Sequence, residues 1–169
     1  WLCSNRGVFK FNTVKNEMWR VDKSSGLISN TIWYIVPDEE GKIWLGSNVG
    51  LNIIDPVKNT ILFLGEKNGL TSDYTSVVYK SGKGEMAVGG DKGLSIINLQ
   101  KKLITNVTAK EGLIPEGMYD MIELNGRIHI ASENGLIIVD QPAEMATGKP
   151  WRFTNHAKRE GFPYNDYNQ

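Results

Sequence analysis

Short hydrophobic segments separated by turns run through the whole chain. The first clear one is Ile-Trp-Tyr-Ile-Val at residues 32–36, which is β-branched and aromatic. Further apolar segments follow at 42–46, 51–55 and 60–64. The connections between them have about three to five residues, a length that joins neighbouring antiparallel strands, so the pattern predicts a four-stranded meander. No stretch has the 3.6-residue period of a helix, and the nearest helical candidate is residues 142–147.

The same pattern recurs along the chain at intervals of about 43 residues. One set of turns ends in glycine at positions 7, 50, 93 and 135, with intervals of 43, 43 and 42. A second motif begins with glycine at positions 26, 69, 112 and 161, with intervals of 43, 43 and 49. Because two motifs keep the same spacing, the chain consists of repeated units. Four-stranded units of about 40–45 residues are typical of β-propeller blades.

The repeat therefore predicts an all-β fold, a partial β-propeller of four-stranded antiparallel blades. We expect a single propeller fragment over residues 1–169, with its parts placed by the repeat. They are a partial blade at 1–25, three complete blades at 26–68, 69–111 and 112–160, an insertion in the last of these near 143–150, and the beginning of a further blade at 161–169. A closed ring typically has about four to eight blades, so we expect this segment to be a fragment of a larger propeller.

Composition and charge narrow the possible functions. The chain has 19 basic and 19 acidic residues, and its net charge of zero argues against nucleic acid or an acidic membrane as the main partner. Its 18 glycines agree with many tight turns. The single cysteine, Cys3, excludes an intrachain disulfide, and no Cys or His spacing matches a metal site. No apolar run is long enough to form a membrane-spanning helix. We expect no metal and no cofactor.

No constellation of catalytic residues stands out. The two histidines, His129 and His156, have no partner at metal spacing and no nucleophile at a known spacing. The glycines between positions 82 and 93 fall at repeat turns with no helix behind them, which argues against a phosphate loop. Trp44 is expected to pack between blades, because aromatic side chains dominate buried cores.

Candidate ligand-binding residues follow from the topology. In a propeller, the loop before the innermost strand and the loop between the second and third strands open on the same face. The polar and aromatic residues in or near these loops are Asn30, Trp33, Asn48, Asp73, Tyr74, Asp91, Glu116, Tyr119, Glu133, Asn165 and Tyr167. Amide and carboxylate groups beside aromatic rings suit a sugar, which offers hydroxyls and flat C–H faces. For the Asn30 series, capping of backbone amides is the favoured interpretation, and ligand binding is the alternative.

Residues 26–55 closely resemble the two-component-regulator propeller repeat. That pattern runs roughly Gly-Leu-x-Ser-Asn, an apolar strand, Asp-x-x-Gly-x-Ile-Trp-Ile-Gly-Thr, and then Gly-Leu with a strand ending in Asp. The second unit departs from it at Ala87 and the third at His129, where the family has Trp. The resemblance implies the periplasmic sensor region of a bacterial hybrid two-component system, whose parent protein is attached to the inner membrane through its own helix.

The resemblance also implies a non-enzymatic function. We expect this module to bind an oligosaccharide or related solute and to regulate a histidine kinase, and through it transcription, elsewhere in the parent protein. The expected protein partners are further propeller blades or a second copy, with a dimer in the parent protein. The alternative is a non-catalytic protein-interaction or dimerisation scaffold. A lyase or hydrolase is disfavoured, because it would need a clustered acid and base, for example at Glu116 or His129.

Overall fold

The computed structural model describes residues 1–81, 84–114, 116–140 and 151–157. Within these ranges the chain forms one three-stranded and three four-stranded antiparallel sheets. In every sheet the strands pair in chain order, so each sheet is a meander. The predicted all-β propeller fold with four-stranded antiparallel blades is therefore confirmed. The predicted helical candidate at 142–147, the insertion near 143–150 and the segment 161–169 lie outside the described residues, and the residue limits proposed for each blade remain predictions.

The bounds of the strands follow the apolar segments of the sequence closely. The first sheet contains β1 (Leu2–Ser4), β2 (Gly7–Asn12) and β3 (Glu17–Val21). The second contains β4 (Ile32–Pro37), β5 (Ile43–Ser47), β6 (Gly50–Asp55) and β7 (Thr60–Leu64). The third contains β8 (Val77–Ser81), β9 (Glu85–Gly89), β10 (Leu94–Asn98) and β11 (Leu103–Val107). The fourth contains β12 (Met118–Leu124), β13 (Arg127–Ser132), β14 (Gly135–Asp140) and β15 (Arg152–Ala157).

Two kinds of turn explain part of the repeat. Asn125 and Gly126 alone join β12 to β13, and their φ angles of 53° and 75° are those of the type I′ turn that an Asn-Gly pair predicts. A single 3₁₀ turn precedes the Gly-Leu motifs that begin at residues 26, 69 and 112. These turns are Lys23–Ser25, Glu66–Asn68 and Ala109–Glu111. The pattern of apolar residues did not predict these turns. Each ends at a left-handed glycine, such as Gly26 with φ 105°, which explains why glycine starts the motif.

The sheets pack against one another through their apolar faces. Trp44 in β5 and Leu51 in β6 contact a cluster that includes Met86 and Val88 of the third sheet. Trp44 is only 1% exposed, and its indole Nε1 donates a hydrogen bond of 2.8 Å to Asp38 Oδ2. The prediction that Trp44 packs between blades is confirmed.

Burial along the strands shows which sheets are covered on both faces. In the second sheet, all residues of β5 and all but the last of β6 are buried, so side chains on both faces are covered. In the fourth sheet, β13 alternates, with Ile128, Ile130 and Ser132 buried and Arg127 and Ala131 exposed. Alternation of this kind marks a sheet with one covered face within the part of the chain described.

Replacing Trp44 with alanine tests the packing between the second and third sheets. We expect Trp44→Ala to lower the free energy of unfolding by about 3–5 kcal/mol, because it leaves a cavity and removes the hydrogen-bond partner of Asp38. Trp19→Ala, at a half-exposed position of β3, is the matched control and should cost no more than about 1 kcal/mol. Chemical denaturation measures both values, and equal losses would contradict this packing.

Candidate functional site

The side chains of Asn30 and Asp73 hold backbone amides. Asn30 Oδ1 accepts a hydrogen bond of 2.8 Å from the amide of Lys23, and Asp73 Oδ1 accepts one of 2.8 Å from the amide of Glu66. Both amides open a 3₁₀ turn, where backbone donors lack partners within the turn. The capping interpretation therefore accounts for one oxygen of each of these two predicted site residues.

Asn48, Asp91 and Glu116 join the two loops that were predicted to share a face. Ser29 Oγ donates to Asn48 Oδ1 at 3.0 Å, and Ser72 Oγ donates to Asp91 Oδ1 in the same way one repeat later. In the fourth sheet, where proline replaces this serine in the sequence, the direction is reversed. Glu116 accepts from Ser132 Oγ and, at 2.6 Å, from the Asn134 amide. The loop before the innermost strand thus contacts the loop between the second and third strands in each complete sheet.

The aromatic candidates Trp33, Tyr74 and Tyr119 are all exposed at or just before the innermost strands, and we call the three together the aromatic rim. The ring centroids of Trp33 and Tyr74 are 4.8 Å apart and the rings are tilted by 57°. Trp33 and Tyr74 are each 39% exposed and Tyr119 is 43% exposed. Because these large rings remain open to solvent, they can present flat apolar surface to a ligand.

The fold accounts for the position of the aromatic rim. The innermost strands contact one another in succession, β4 with β8 and β8 with β12, and Tyr74 lies just before β8. The strand register shifts between Ile32 and Tyr34 and again between Met118 and Asp120, so Trp33 and Tyr119 are bulge residues. A β-bulge redirects the side chain it carries, which explains how both rings escape the packed interfaces between sheets.

A hydrogen bond beneath the rim connects the second and fourth sheets. The Tyr34 hydroxyl donates to Asp120 Oδ1 at 2.7 Å, and the amide of Met121 donates to the same oxygen at 2.9 Å. Val77, which is fully buried, occupies the equivalent position of the third sheet and belongs to a cluster that Tyr34 packs against. We call this contact the Tyr–Asp bridge. It fixes a carboxylate next to Tyr119.

Sequence reasoning missed both residues of the Tyr–Asp bridge. Tyr34 and Asp120 are separated by 86 positions, which is two repeats, so they occupy the same place in their respective units. That coincidence was the available signal. The predicted candidates end at Trp33 and Tyr119, the strand residues beside the loops, and Tyr34 and Asp120 each lie one position farther along β4 and β12.

Burial, and then the hydrogen bond to the Asp120 carboxylate, raises the pKa of Tyr34 from 10.0 to about 12. The phenol therefore remains protonated throughout the physiological range. It acts there only as a donor to Asp120, which fixes the orientation of that carboxylate.

Glu133 provides a further acceptor beside the rim. Its amide donates to the carbonyl of Gly117 at 2.9 Å, and its side chain is exposed. Glu133 Oε2 and Tyr119 Oη lie 3.8 Å and 3.9 Å from the position that a Cβ of residue 117 would occupy. The absence of a side chain at Gly117 thus leaves a space bordered by a carboxylate and a phenol.

Two grooves lie at opposite ends of the innermost strands in the described part of the chain. One of about 230 Å³ is lined by Glu116, Ser132 and Asn134 together with apolar residues of β14. The other, of about 430 Å³, lies at the opposite end of β4, where Asp38, Trp44 and Lys80 line it. The larger groove contains none of the predicted site residues.

Asn165 and Tyr167 lie outside the described residues, so their predicted place in the site stays a prediction. Among the residues described, no group of three His, Cys, Asp or Glu side chains is arranged to hold a metal ion. In the same part of the chain, no helix has the length and apolar character needed to cross a membrane.

Comparison with known proteins agrees with the sequence resemblance. Residues 26–49 match the family model described as the two-component regulator propeller. This segment runs from the first Gly-Leu motif to the turn after β5, so the repeat inferred from its residues is confirmed. No curated protein matches the chain.

Solved structures share the fold. The extracellular domain of a proposed hybrid two-component system from B. thetaiotaomicron has 22% identity and a TM-score of 0.66, with 82% of this chain and 18% of that chain covered. The extracellular domain of a proposed one-component system from the same organism has 22% identity and a TM-score of 0.72, covering 90% and 21%. PorZ, a surface component of the type-IX secretion system of Porphyromonas gingivalis, has 16% identity and a TM-score of 0.64, covering 90% and 20%. The chain spans about a fifth of the length of each of these proteins.

The pKa of Tyr34 predicts how stability depends on alkaline pH. The folded-state pKa of Tyr34 lies above the value of 10.0 for a free phenol. The stabilisation that the protonated Tyr34 adds to the folded state is therefore complete below pH 10 and is lost as the pH rises towards 12. We expect the unfolding free energy to fall over this interval, and Tyr34→Phe to remove this part of the fall. Denaturation at a series of pH values, with Tyr79→Phe as the control, measures it. An unchanged profile in Tyr34→Phe would contradict the bridge.

Proposed function

We propose that this chain is a ligand-sensing module of the extracytoplasmic sensor region of a hybrid two-component system. The match of residues 26–49 to the two-component regulator propeller and the fold shared with extracellular domains of such systems support this assignment. In the proposal, the module binds an oligosaccharide or a related solute. The observation that carries it is the exposed pair of adjacent rings, Trp33 and Tyr74.

The geometry of the rim fits the chemistry of a sugar. The apolar C–H face of a pyranose can stack on the exposed ring of Trp33 or Tyr74, whose surfaces would otherwise remain in water. In the proposal, the sugar hydroxyls donate to carboxylates near Tyr119, the third ring of the rim. Asp120 follows Tyr119 in β12, and the Glu133 carboxylate borders the same space at Gly117 as the Tyr119 hydroxyl. Asp120 is already oriented by two donors, so it loses little freedom on binding.

Signalling follows from differential binding in this proposal. The ligand would favour one arrangement of the sensor region over another, and the difference in affinity would bias a histidine kinase in the parent protein and, through it, transcription. The proposed location is the periplasm, with the parent protein anchored in the inner membrane. The proposed role of this segment is binding without catalysis.

A protein-interaction scaffold is the second candidate function. On the first sheet, Leu2, Phe11 and Met18 are exposed on the face turned away from the second sheet, and Phe11 is directly paired with Met18. Further blades or a second copy of the chain could cover this apolar face. The fold shared with a surface component of a secretion system is compatible with that role.

The rim variants Trp33→Ala and Tyr74→Ala test the main proposal. Calorimetry of the protein against a panel of neutral and charged oligosaccharides should identify a ligand, and either substitution should weaken its binding at least about tenfold, equivalent to about 1.4 kcal/mol. Trp19→Ala, which removes an exposed tryptophan outside the rim, should leave the affinity unchanged.

The outcomes separate the two candidate functions. Absence of binding by every oligosaccharide, or full binding by both rim variants, would contradict a carbohydrate platform at this place. Concentration-dependent association that the rim variants retain would then favour the scaffold.

A further inference from the structure

The Asp120 carboxylate is held by two hydrogen bonds next to Tyr119 of the aromatic rim. Tyr34 Oη and the Met121 amide both donate to Oδ1, at 2.7 Å and 2.9 Å, although the residue itself is exposed. Both bonds are made to Oδ1, and Asp120 directly follows Tyr119 on β12. A carboxylate held in this way attracts cationic groups and repels anionic groups of a ligand that lies on the ring of Tyr119.

Two further acidic residues lie in the loops near Tyr119. Glu116 and Glu133, from the loops that flank β12 and β13, are also acidic. Among the innermost strands β4, β8 and β12, the only basic residue is Lys80, which lies near the far end of β8 and pairs with Glu39 at 3.6 Å. On the neighbouring loop of the third sheet, Lys92 is paired with Glu66 at 2.6 Å. The acidic groups at the rim therefore have no basic neighbour on the innermost strands.

We propose that the aromatic rim accepts neutral or amine-bearing sugars and rejects acidic sugars, with Asp120 as the specificity-determining residue. Tyr34 is its positioning residue, because it acts on the ligand only through Asp120. This inference rests on the proposed carbohydrate-binding function and adds a ligand class to it.

The proposed selectivity follows from the negative charge of the Asp120 carboxylate and from its capacity to accept hydrogen bonds. An ionised carboxylate accepts hydrogen bonds from sugar hydroxyls, and its bonds with an ammonium group are stronger because both partners are charged. A sugar carboxylate at the same place would be repelled and would leave acceptors facing acceptors, which discriminates against it. Because the whole chain has zero net charge, this discrimination should come from the rim and not from the overall charge.

Three tetrasaccharides with the same β-1,4-linked backbone provide the test. Cellotetraose is neutral, the glucosamine tetramer carries ammonium groups, and the cellouronic acid tetramer carries carboxylates. Binding to the 169-residue chain is followed through the Trp33 indole N–H resonance, which is assigned by its loss in Trp33→Phe. We expect the glucosamine tetramer to bind most tightly and the cellouronic acid tetramer most weakly, with at least about a tenfold spread in Kd between them. Added salt should narrow the spread.

Three substitutions test whether Asp120 causes this spread in Kd. Asp120→Asn should reduce it to a few-fold, and Tyr34→Phe, which keeps the packed ring and removes only the donor, should reduce it in part. Glu17→Gln removes the same charge from an exposed position of β3 and should leave the spread unchanged. If Asp120→Asn does not fold, Tyr34→Phe and the salt dependence of the unchanged protein still test the proposal.

Each outcome has a distinct meaning. Equal affinities for the three tetrasaccharides, tightest binding of the acidic one, or a spread that survives both Asp120→Asn and Tyr34→Phe would overturn the selectivity and leave carbohydrate binding intact. If none of the three shifts the Trp33 resonance, this inference fails, and the wider oligosaccharide panel decides whether the carbohydrate platform fails with it.

Discussion

Every sheet of this protein has two faces, and burying both faces requires a neighbouring sheet on each side. This packing constraint governs the rest of the structure. Trp44 and Leu51 of the second sheet pack against Met86 and Val88 of the third, and β5 is buried along its whole length. Where one face is covered, as in β13, burial alternates from residue to residue. Apolar burial is the dominant favourable contribution to folding, so the sheets are stable as a stack and not singly.

The same stacking builds the candidate site. Adjacent sheets present their innermost strands side by side. The ring centroid of Trp33 in the second sheet therefore lies 4.8 Å from that of Tyr74, which comes just before the third sheet. Tyr34 reaches past the buried Val77 to Asp120 of the fourth sheet. A change in the packing of one sheet on the next would alter these distances, and a ligand that bridges them would favour one packing over another. In the proposed function, ligand recognition and its coupling to the rest of the sensor would depend on the same contacts.

The regular features of the fold could be predicted from the sequence because they are local and repeated. The Asn125-Gly126 hairpin and the packing of Trp44 each follow from a residue type at a fixed place in the unit. The Tyr–Asp bridge could not be predicted in this way, because it joins units that are not neighbours and depends on how the sheets are stacked. For Asn30 and Asp73, capping was the favoured interpretation and ligand binding the alternative, because amide and carboxylate oxygens serve backbone amides and ligands equally well.

Native-state hydrogen exchange tests the packing constraint most directly. If sheets are stabilised by neighbours on both faces, the amides of β5 and β6 and of β9 and β10 should exchange most slowly, and those of β1 and β3 most rapidly. Exchange resolved by mass spectrometry of peptides from each sheet provides the comparison. Protection of the first sheet equal to that of the second and third would contradict the account.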